Sequence, residues 1–406
     1  MGGREHRGEL LAARGWASIE NGSWRVRSQS DPARRYRVNP HADTCTCPDH
    51  EETNLRCKHI WAAMFTVTAE TEDGKVTRTA QVTYSQEWSS YNRAQVEEKD
   101  TFMNLLANLC STIEEPPQSK GRPRLPLSDM TFAAAFKVFS RFSSRCFSSD
   151  LRQAHERRLI SRAPHFNSVT NYMASPILTP VLHNLITESS LPLRAIESDF
   201  AVDASGFTSD RFRKWLDAKH GVAQSGNYKE WIKAHVVVGV RTNIITAIEV
   251  TDWRKGDSTY FDALVRSTAK EFDVGEVSAD RAYLSKNNIA VAEELGVTPF
   301  IPFKSNTRPV LHENTPWARM YHRFMADPET FMSRYHKRSN VESTFALIKA
   351  KFGDGLMSKS PTGQRNEVLC KVLAHNIVVV GEAAIEFGIA PDFCTKSLAT
   401  AQETAD

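Results

Sequence analysis

Tyr335-His336-Lys337-Arg338-Ser339-Asn340-Val341-Glu342-Ser343-Thr344-Phe345-Ala346-Leu347-Ile348-Lys349 is the stretch from which the fold is read. It lies in a long helix expected from about Phe331 to Phe352, stopped at Gly353. Val341, Phe345, Ile348 and Phe352 recur at helical spacing and form an apolar stripe that would dock on a sheet. At about 100° per residue, Tyr335, Arg338, Glu342 and Lys349 fall within an arc of ~60° beside that stripe. One helix thus carries a core face and, next to it, a carboxylate flanked by two cations and a phenol. Taken alone, a helix glutamate is commonly solvated, and an Arg338–Glu342 pair at i,i+4 is commonly incidental.

The sheet in front of that helix changes the weighting. From about residue 195, strand-like runs appear at Phe200–Asp203, Ala234–Arg241, Ile244–Val250, Val277–Ala279 and Pro299–Pro302, with helical patterns at about Ser258–Phe272 and Lys286–Leu295. Three strands, then helix, strand, helix, strand and helix make a mixed α/β sheet. The order resembles the ribonuclease-H-like arrangement, in which the first and fourth strands lie side by side. Asp203 closes the first run before the small residues Ala204-Ser205-Gly206, and Asp280 closes the fourth before Arg281-Ala282-Tyr283. Adjacent strand ends would bring these carboxylates together, with Glu342 opposite. Such clusters repel unless a divalent cation neutralises them, and Mg²⁺ accepts hard oxygen ligands in incomplete cages. Two ions ~3.5–4 Å apart can activate an attacking oxygen and stabilise the leaving one in phosphoryl transfer. Glu197 and Asp199 compete for the first place, but Asp203 ends the apolar run and precedes a small-residue turn that would leave space for metal and DNA. Arg338 and Lys349 could grip phosphates on either side of a scissile bond, and Tyr335 could orient one. Tyr283 could stack on a displaced base or touch a phosphate, whereas His235, followed by three valines, reads as a satisfied sheet histidine.

Tyr335, Arg338, Glu342 and Lys349 satisfy the spacing Tyr-x₂-Arg-x₃-Glu-x₆-Lys, which is similar to the signature of insertion-sequence DDE transposases of bacteria and archaea. Val202-Asp203-Ala204-Ser205-Gly206-Phe207 and Asp280-Arg281-Ala282-Tyr283 also look like that family's first two catalytic blocks. The resemblance spans about 120–380. It implies an RNase-H-like catalytic domain, placed here at 195–390, whose catalytic Asp203, Asp280 and Glu342 bind two Mg²⁺ ions, with Mn²⁺ as a substitute. It further implies cut-and-paste chemistry on double-stranded DNA, in which water attacks the element end and the freed 3′-hydroxyl then attacks target DNA. Only 61 residues stand between Asp280 and Glu342, leaving no room for a large β insertion of the kind some relatives carry. A homodimer on paired ends, in the cytoplasm at the nucleoid, is the expected working form. A nuclease of the same fold and a non-enzymatic DNA-binding derivative are the rival readings.

The N-terminal part has a different signal. Cys45-Thr46-Cys47, nine residues, and Cys57-Lys58-His59 supply three thiolates and an imidazole, a usual tetrahedral set for structural zinc. Followed by Ile60-Trp61-Ala62-Ala63-Met64-Phe65, this pattern resembles a SWIM-type zinc finger, which implies DNA or protein binding with zinc holding the fold. His50 reads as a loop histidine. The seven cysteines are an odd, uneven set and make no disulfide framework.

Length and charge frame the rest. At 406 residues, two or three domains are expected. The zinc module is placed at 1–112 and a basic linker at 113–127, broken by Pro116-Pro117. A helical, helix-turn-helix-like DNA-binding domain is placed at 128–192, with caps at Ser128, Ser149 and Asn167 or Ser168 and a fourth helix led by Pro180. The net charge of +3 is too mild to argue for nucleic acid, yet Lys120–His165 holds ten Lys/Arg against three Asp/Glu. Lys120-Gly121-Arg122-Pro123-Arg124 resembles an AT-hook core, making Arg122 and Arg124 candidate DNA contacts, though an ordinary basic linker fits equally. No apolar run is expected to reach the ~18–20 residues of a membrane span, and the charged N-terminus is no secretory signal; no membrane partner is expected.

Overall fold

The structure, a computed structural model, describes residues 3–393 apart from 14, 21–22, 30, 32, 41, 65, 71–75, 81–87, 119, 122, 210–230, 305–306, 308–313, 390 and 392. The chain forms two compact units, Met1–Gln95 and Val96–Asp406.

In the first unit, β1 (Ala17–Glu20), β2 (Ser23–Arg27), β3 (Arg35–Asn39) and β4 (Thr44–Cys45) make an antiparallel sheet in chain order. Strand alternation sends Trp24, Val26, Tyr36 and Val38 to one face, where they meet Leu11, Ile60 and Ala63 from α1 (Gly3–Ala13) and α3 (Lys58–Met64). α2 (Pro48–Thr53) follows the first pair of cysteines. The helices α1 and α3 meet at Gly8, where any side chain would press on the Lys58 carbonyl at 2.7 Å. A two-stranded ribbon, β5 (Thr66–Glu70) and β6 (Val76–Ala80), completes the strands here.

The second unit is built on a five-stranded mixed sheet. Its strands are β7 (Asp199–Thr208), β8 (Trp231–Gly239), β9 (Ile245–Asp252), β10 (Glu276–Ala279) and β11 (Thr298–Phe300), in the order β11-β10-β7-β8-β9. β7, β8 and β9 pair antiparallel, while β7, β10 and β11 run parallel. The first and fourth strands of the sheet are therefore neighbours, as the RNase-H-like order requires.

Each sheet face is covered by helices. Phe200, Val202, Val237 and Ala247 face α9 (Phe261–Ala269), α10 (Lys286–Glu294), α11 (Pro316–Ala326) and α12 (Pro328–Tyr335). The alternate residues Ala201, Phe207, Ala234, Val236 and Val238 face a larger helical layer. That layer holds α4 (Trp88–Cys110), α5 (Leu127–Ser140), α6 (Ser148–Glu156), α7 (Phe166–Met173), α8 (Leu178–Ser190), α13 (Ser339–Phe352) and α14 (Pro361–Phe387). Residues 128–192 thus share one core with the sheet, because the Phe132, Phe136 and Val138 side of α5 is buried in common with α14.

Helix α14 was not anticipated. It is long and apolar enough to cross a membrane by length and composition, with a mean hydropathy of 1.7 over its most apolar window, which corrects the expectation that no run comes near that length. That window is 83% buried, so the helix is the spine of the core. Its polar residues are individually satisfied. Asn376 exchanges hydrogen bonds with Ile245 of β9, whose N–H donates to Oδ1 at 3.0 Å and whose carbonyl accepts from Nδ2 at 2.7 Å. Asn366 donates to the carbonyls of Met173 and Ser175 at 2.9 and 3.0 Å. Lys371 donates to those of Gly353 and Gly355 at 2.7 and 2.9 Å.

Four local expectations are corrected. The helix expected over Phe331–Phe352 is α12, a 3₁₀ turn at His336–Arg338, and α13, because Lys337 is drawn to Asp199 and Glu276. Helix α5 starts at Leu127 rather than behind a Ser128 cap. Glu115 caps it from the expected linker, accepting the N–H groups of Leu127 and Ser128 at 2.7 and 2.9 Å. α6 starts at Ser148 and ends at Glu156. α7 is capped by the ring of His165, whose Nδ1 accepts from the Asn167 N–H at 3.2 Å.

Candidate active site and metal centre

The carboxylates are placed by strand register. β10 stops against β7 at the pair Ala279–Val202, so Asp280 falls beside Asp203. β7 itself does not end there: it continues along β8 to Thr208, with Asp203 opposite Val236 and Gly206 opposite Lys233. Ala204-Ser205-Gly206 is therefore strand, not the expected turn, and Asp203 sits where one neighbouring strand stops while the other goes on. By alternation Asp203 shares its face with Ala201 and Phe207, the side on which α13 docks through Val341, Phe345 and Ile348. Glu342, one residue along from Val341, points its side chain outward with 59% exposure.

Arg338 ties these groups together. Its Nη1 donates to Asp203 Oδ2 at 2.6 Å and its Nη2 to Glu342 Oε1, and its guanidinium lies 5.9 Å from the centre of the Tyr335 ring. Lys349, two turns further along α13, donates to Ser205 Oγ at 2.7 Å and sits 5.5 Å from the Phe207 ring centre. Asp280 caps the following 3₁₀ turn, accepting the Ala282 N–H at 2.6 Å. Burial pushes the Asp203 carboxyl above its ordinary range. The Ala204 N–H and Arg338 pull it back, and the negative charges of Asp280 and Glu342 push it up again. The Asp203 carboxyl is thus crowded by two acids and held by one guanidinium, and with Arg338 between Asp203 and Glu342 the three acids are not drawn into one metal-holding group in this structure.

The competitors for the first position are otherwise engaged. Glu197 is buried and accepts from the N–H groups of Arg241 and Thr242 and from the Thr242 hydroxyl. Asp199 pairs with Lys337. His235 is buried; its Nε2 lies 2.9 Å from Thr251 Oγ1 and its ring stacks on Tyr260, while Nδ1 lies 3.6 Å from Asp257 Oδ1 and has no hydrogen-bond partner among the described residues. Tyr283 is a correction. It is fully buried, its ring centre 6.1 Å from that of Phe261 and its hydroxyl without a hydrogen-bond partner among the described residues, so it cannot stack on a base in this conformation. Its apolar ring fills the core beneath the Asp280 turn instead. Arg124 is exposed, with its N–H on Gln118 Oε1 at 3.2 Å, and Arg122 lies outside the described residues. Ser205 went unread in the sequence; its only signal was two-residue alternation from Asp203.

The second centre is in the N-terminal unit. Cys45, Cys47, Cys57 and His59 are buried and their ligand atoms lie within 4.8 Å of one another; no other such group occurs among the described residues. Cys45 comes from β4 and Cys47 caps α2, while Cys57 and His59 open α3. His59 Nδ1 is 3.8 Å from Cys57 Sγ and 4.0 Å from Cys45 Sγ, close to the ~3.6 Å edge of a tetrahedron with zinc–sulfur and zinc–nitrogen bonds of usual length. Its Nε2 is buried without a hydrogen-bond partner among the described residues. Hydrogen bonds from Cys45 and Cys47 hold the Cys57 thiol far below its ordinary range, and contacts with the other two sulfurs drive Cys45 up. Three crowded sulfurs and one imidazole fit zinc with every coordination position taken. His50, expected in a loop, lies instead in α2 and is buried, with its Nδ1 2.8 Å from the Leu55 carbonyl oxygen.

Residues 194–377 match the family model described as the transposase DDE domain, and residues 36–67 match that of the SWIM zinc finger. The first span contains Asp203, Asp280, Tyr335, Arg338, Glu342 and Lys349, and the second all four zinc-type ligands. No curated protein and no solved structure gave a match.

Proposed function

We propose that this chain, whose residues 194–377 match the transposase DDE domain and 36–67 the SWIM zinc finger, is a DNA transposase of an insertion sequence that cleaves the ends of its element and joins them to target DNA. The observation that carries this reading is the register of β7 and β10, which sets Asp203 beside Asp280 under the helix bearing Glu342. Asp203, Asp280 and Glu342 would hold two Mg²⁺ ions, or Mn²⁺ in their place. Bound there, the cations supply activation of the attacking oxygen and neutralise charge on the departing one.

The chain's own residues do the rest. The buried, charge-crowded setting of Asp203 keeps the site poised for a cation. Arg338, partnered by the two acids in this structure, supplies a planar fork suited to a phosphate once they take a metal. Lys349 and Tyr335 flank it and would fix the strand on either side of the scissile bond. DNA ends would be recognised by the helical zone 120–192, with Arg122 and Arg124 at its start, helped by the zinc finger. The working form is a homodimer on paired ends, in the cytoplasm at the nucleoid.

The test uses labelled element ends and plasmid target with Mg²⁺. Wild-type protein should cleave, and pre-cleaved ends should join to target; Asp203→Asn, Asp280→Asn and Glu342→Gln should each remove both activities and keep end binding. Substantial joining by any one of them refutes the assignment at that position. Cleavage without joining would make the protein a nuclease of the same fold.

A further inference from the structure

The N-terminal sheet turns one face to its core and zinc ligands, and β2 and β3 present the other to solvent. On that outer face the register sets Arg25 opposite Arg37 and Arg27 opposite Arg35. The row continues to Ser18, opposite Arg25, and to Thr46, whose Oγ1 accepts the Arg37 N–H at 3.0 Å, while Glu20, opposite Ser23, takes an acidic register position at the end of the edge strand β1. Asn39 and Thr44 extend it at the far end of β3. Successive residues on one face of a strand are ~7 Å apart and paired strands ~5 Å apart, so the guanidinium stems rise from a very small area. Directly opposed like charges weaken an antiparallel pair. Elsewhere in this unit arginines are neutralised, Arg4 by Asp49 and Arg56 by Asp43. Arg25, Arg27 and Arg37 have no acidic partner among the described residues.

Neither the core nor the zinc site needs this row. Val26, Tyr36 and Val38 make the apolar contacts, and the metal-type ligands come from β4, the start of α2 and α3. Three guanidinium groups without an acidic partner among the described residues, those of Arg25, Arg27 and Arg37, concentrated on one sheet face fit an anionic polymer, and the planar fork favours phosphate oxygens. We propose that this arginine face binds the phosphate backbone of duplex DNA, as a sequence-tolerant hold separate from the DDE site. The inference rests on the reading of the chain as a protein that acts on DNA.

The experiment measures binding of the full chain, zinc-loaded and without added Mg²⁺, to a fluorescent mixed-sequence DNA duplex between 0.05 and 0.2 M salt. Three proteins are compared: wild type, Arg25→Ser/Arg27→Ser/Arg37→Ser, and the corresponding triple lysine variant. The serine variant should keep its zinc, lose about tenfold or more in affinity at 0.1 M salt, and show a log–log salt slope smaller by about two to three. The lysine variant should keep most of the slope. Equal affinity and slope in wild type and serine variant overturn the proposal. If the serine variant loses zinc, Arg27→Glu alone decides: about threefold weaker binding supports the face and unchanged binding removes it. If the substitutions reduce capture of poly-L-glutamate but not of duplex DNA, the face docks protein and the proposal falls. Failure of wild-type protein to bind duplex DNA at all would instead refute the transposase reading, which the variants do not test.

Discussion

Arg338 donates to Asp203 at 2.6 Å and to Glu342 through its other terminal nitrogen, so one guanidinium spans two acids that the proposed function assigns to metal. The side chains of Arg338 and Asp203 are each only 18% exposed, so the pair is partly desolvated. Removing the cation strands a half-buried carboxylate. Arg338→Met is expected to lose roughly 1–3 kcal/mol of stability in urea. Because the variant leaves Asp203 and Glu342 unpaired, millimolar Mg²⁺ should raise its melting temperature more than that of wild type, where the cation must displace the guanidinium. An equal Mg²⁺ response in both would place the metal elsewhere.

Substituting a zinc-type ligand should act only on the N-terminal unit. Cys57→Ser removes one of three buried sulfurs, and the metal's binding energy is folding energy in a unit with so small a core. The expected result is loss of bound zinc and of the unit's melting transition, with the transition of Val96–Asp406 retained. Calorimetry with zinc analysis reads both. Unchanged zinc content would take Cys57 out of the ligand set.

Acid should destabilise the larger unit through buried histidines. Burial pushes His375 down to about 4 from 6.5, against the opposing effect of its hydrogen bond to the Asn243 carbonyl, and His235 is likewise held at about 4 by burial. Above pH 6.5 both folded and unfolded states are neutral at these sites. Below it the unfolded chain binds protons that the folded one refuses, so stability falls as pH drops toward 4, by up to roughly 3 kcal/mol for His375. The raised carboxyl of Asp203 works in the opposite sense and offsets part of this. Urea midpoints at pH 7 and 5 should differ more in wild type than in His375→Gln; the same shift in both would rule His375 out.

Asn376 offers the sharpest test of how the core is locked. It is fully buried and joins α14 to β9 and, through Ser189 Oγ at 3.0 Å, to α8. Asn376→Ala leaves the buried N–H and carbonyl of Ile245 short of partners and should cost about 2–4 kcal/mol in urea denaturation. A loss under 0.5 kcal/mol, an ordinary surface value, would mean that water or repacking replaces it.

Much of the sheet was legible because its signals are local. Phe200-Ala201-Val202 and Val277-Ser278-Ala279 are apolar runs that each end on an acid, and the order of elements set their strands side by side. The zinc ligands were legible for the same reason, since all four fall within fifteen residues. Less visible was α14, whose apolar pattern is interrupted by Asn366, Glu367, Lys371, His375 and Asn376. Asn366, His375 and Asn376 find their partners in distant segments, and Glu367 and Lys371 in the loop that precedes the helix; those partners make the burial tolerable.

Spacing and alternation along the chain decided which residues form strands, which cysteines cluster and which acids end on neighbouring strands, because those properties depend on the two backbone periods and on short loops. Tertiary packing decided the rest: that β7 runs on past Asp203, that a 3₁₀ turn swings Lys337 to Asp199 and Arg338 to Asp203, and that Tyr283 is walled into the core. Those outcomes turn on burial and on charges brought together by distant segments. No local window of residues contains the energy that selects them.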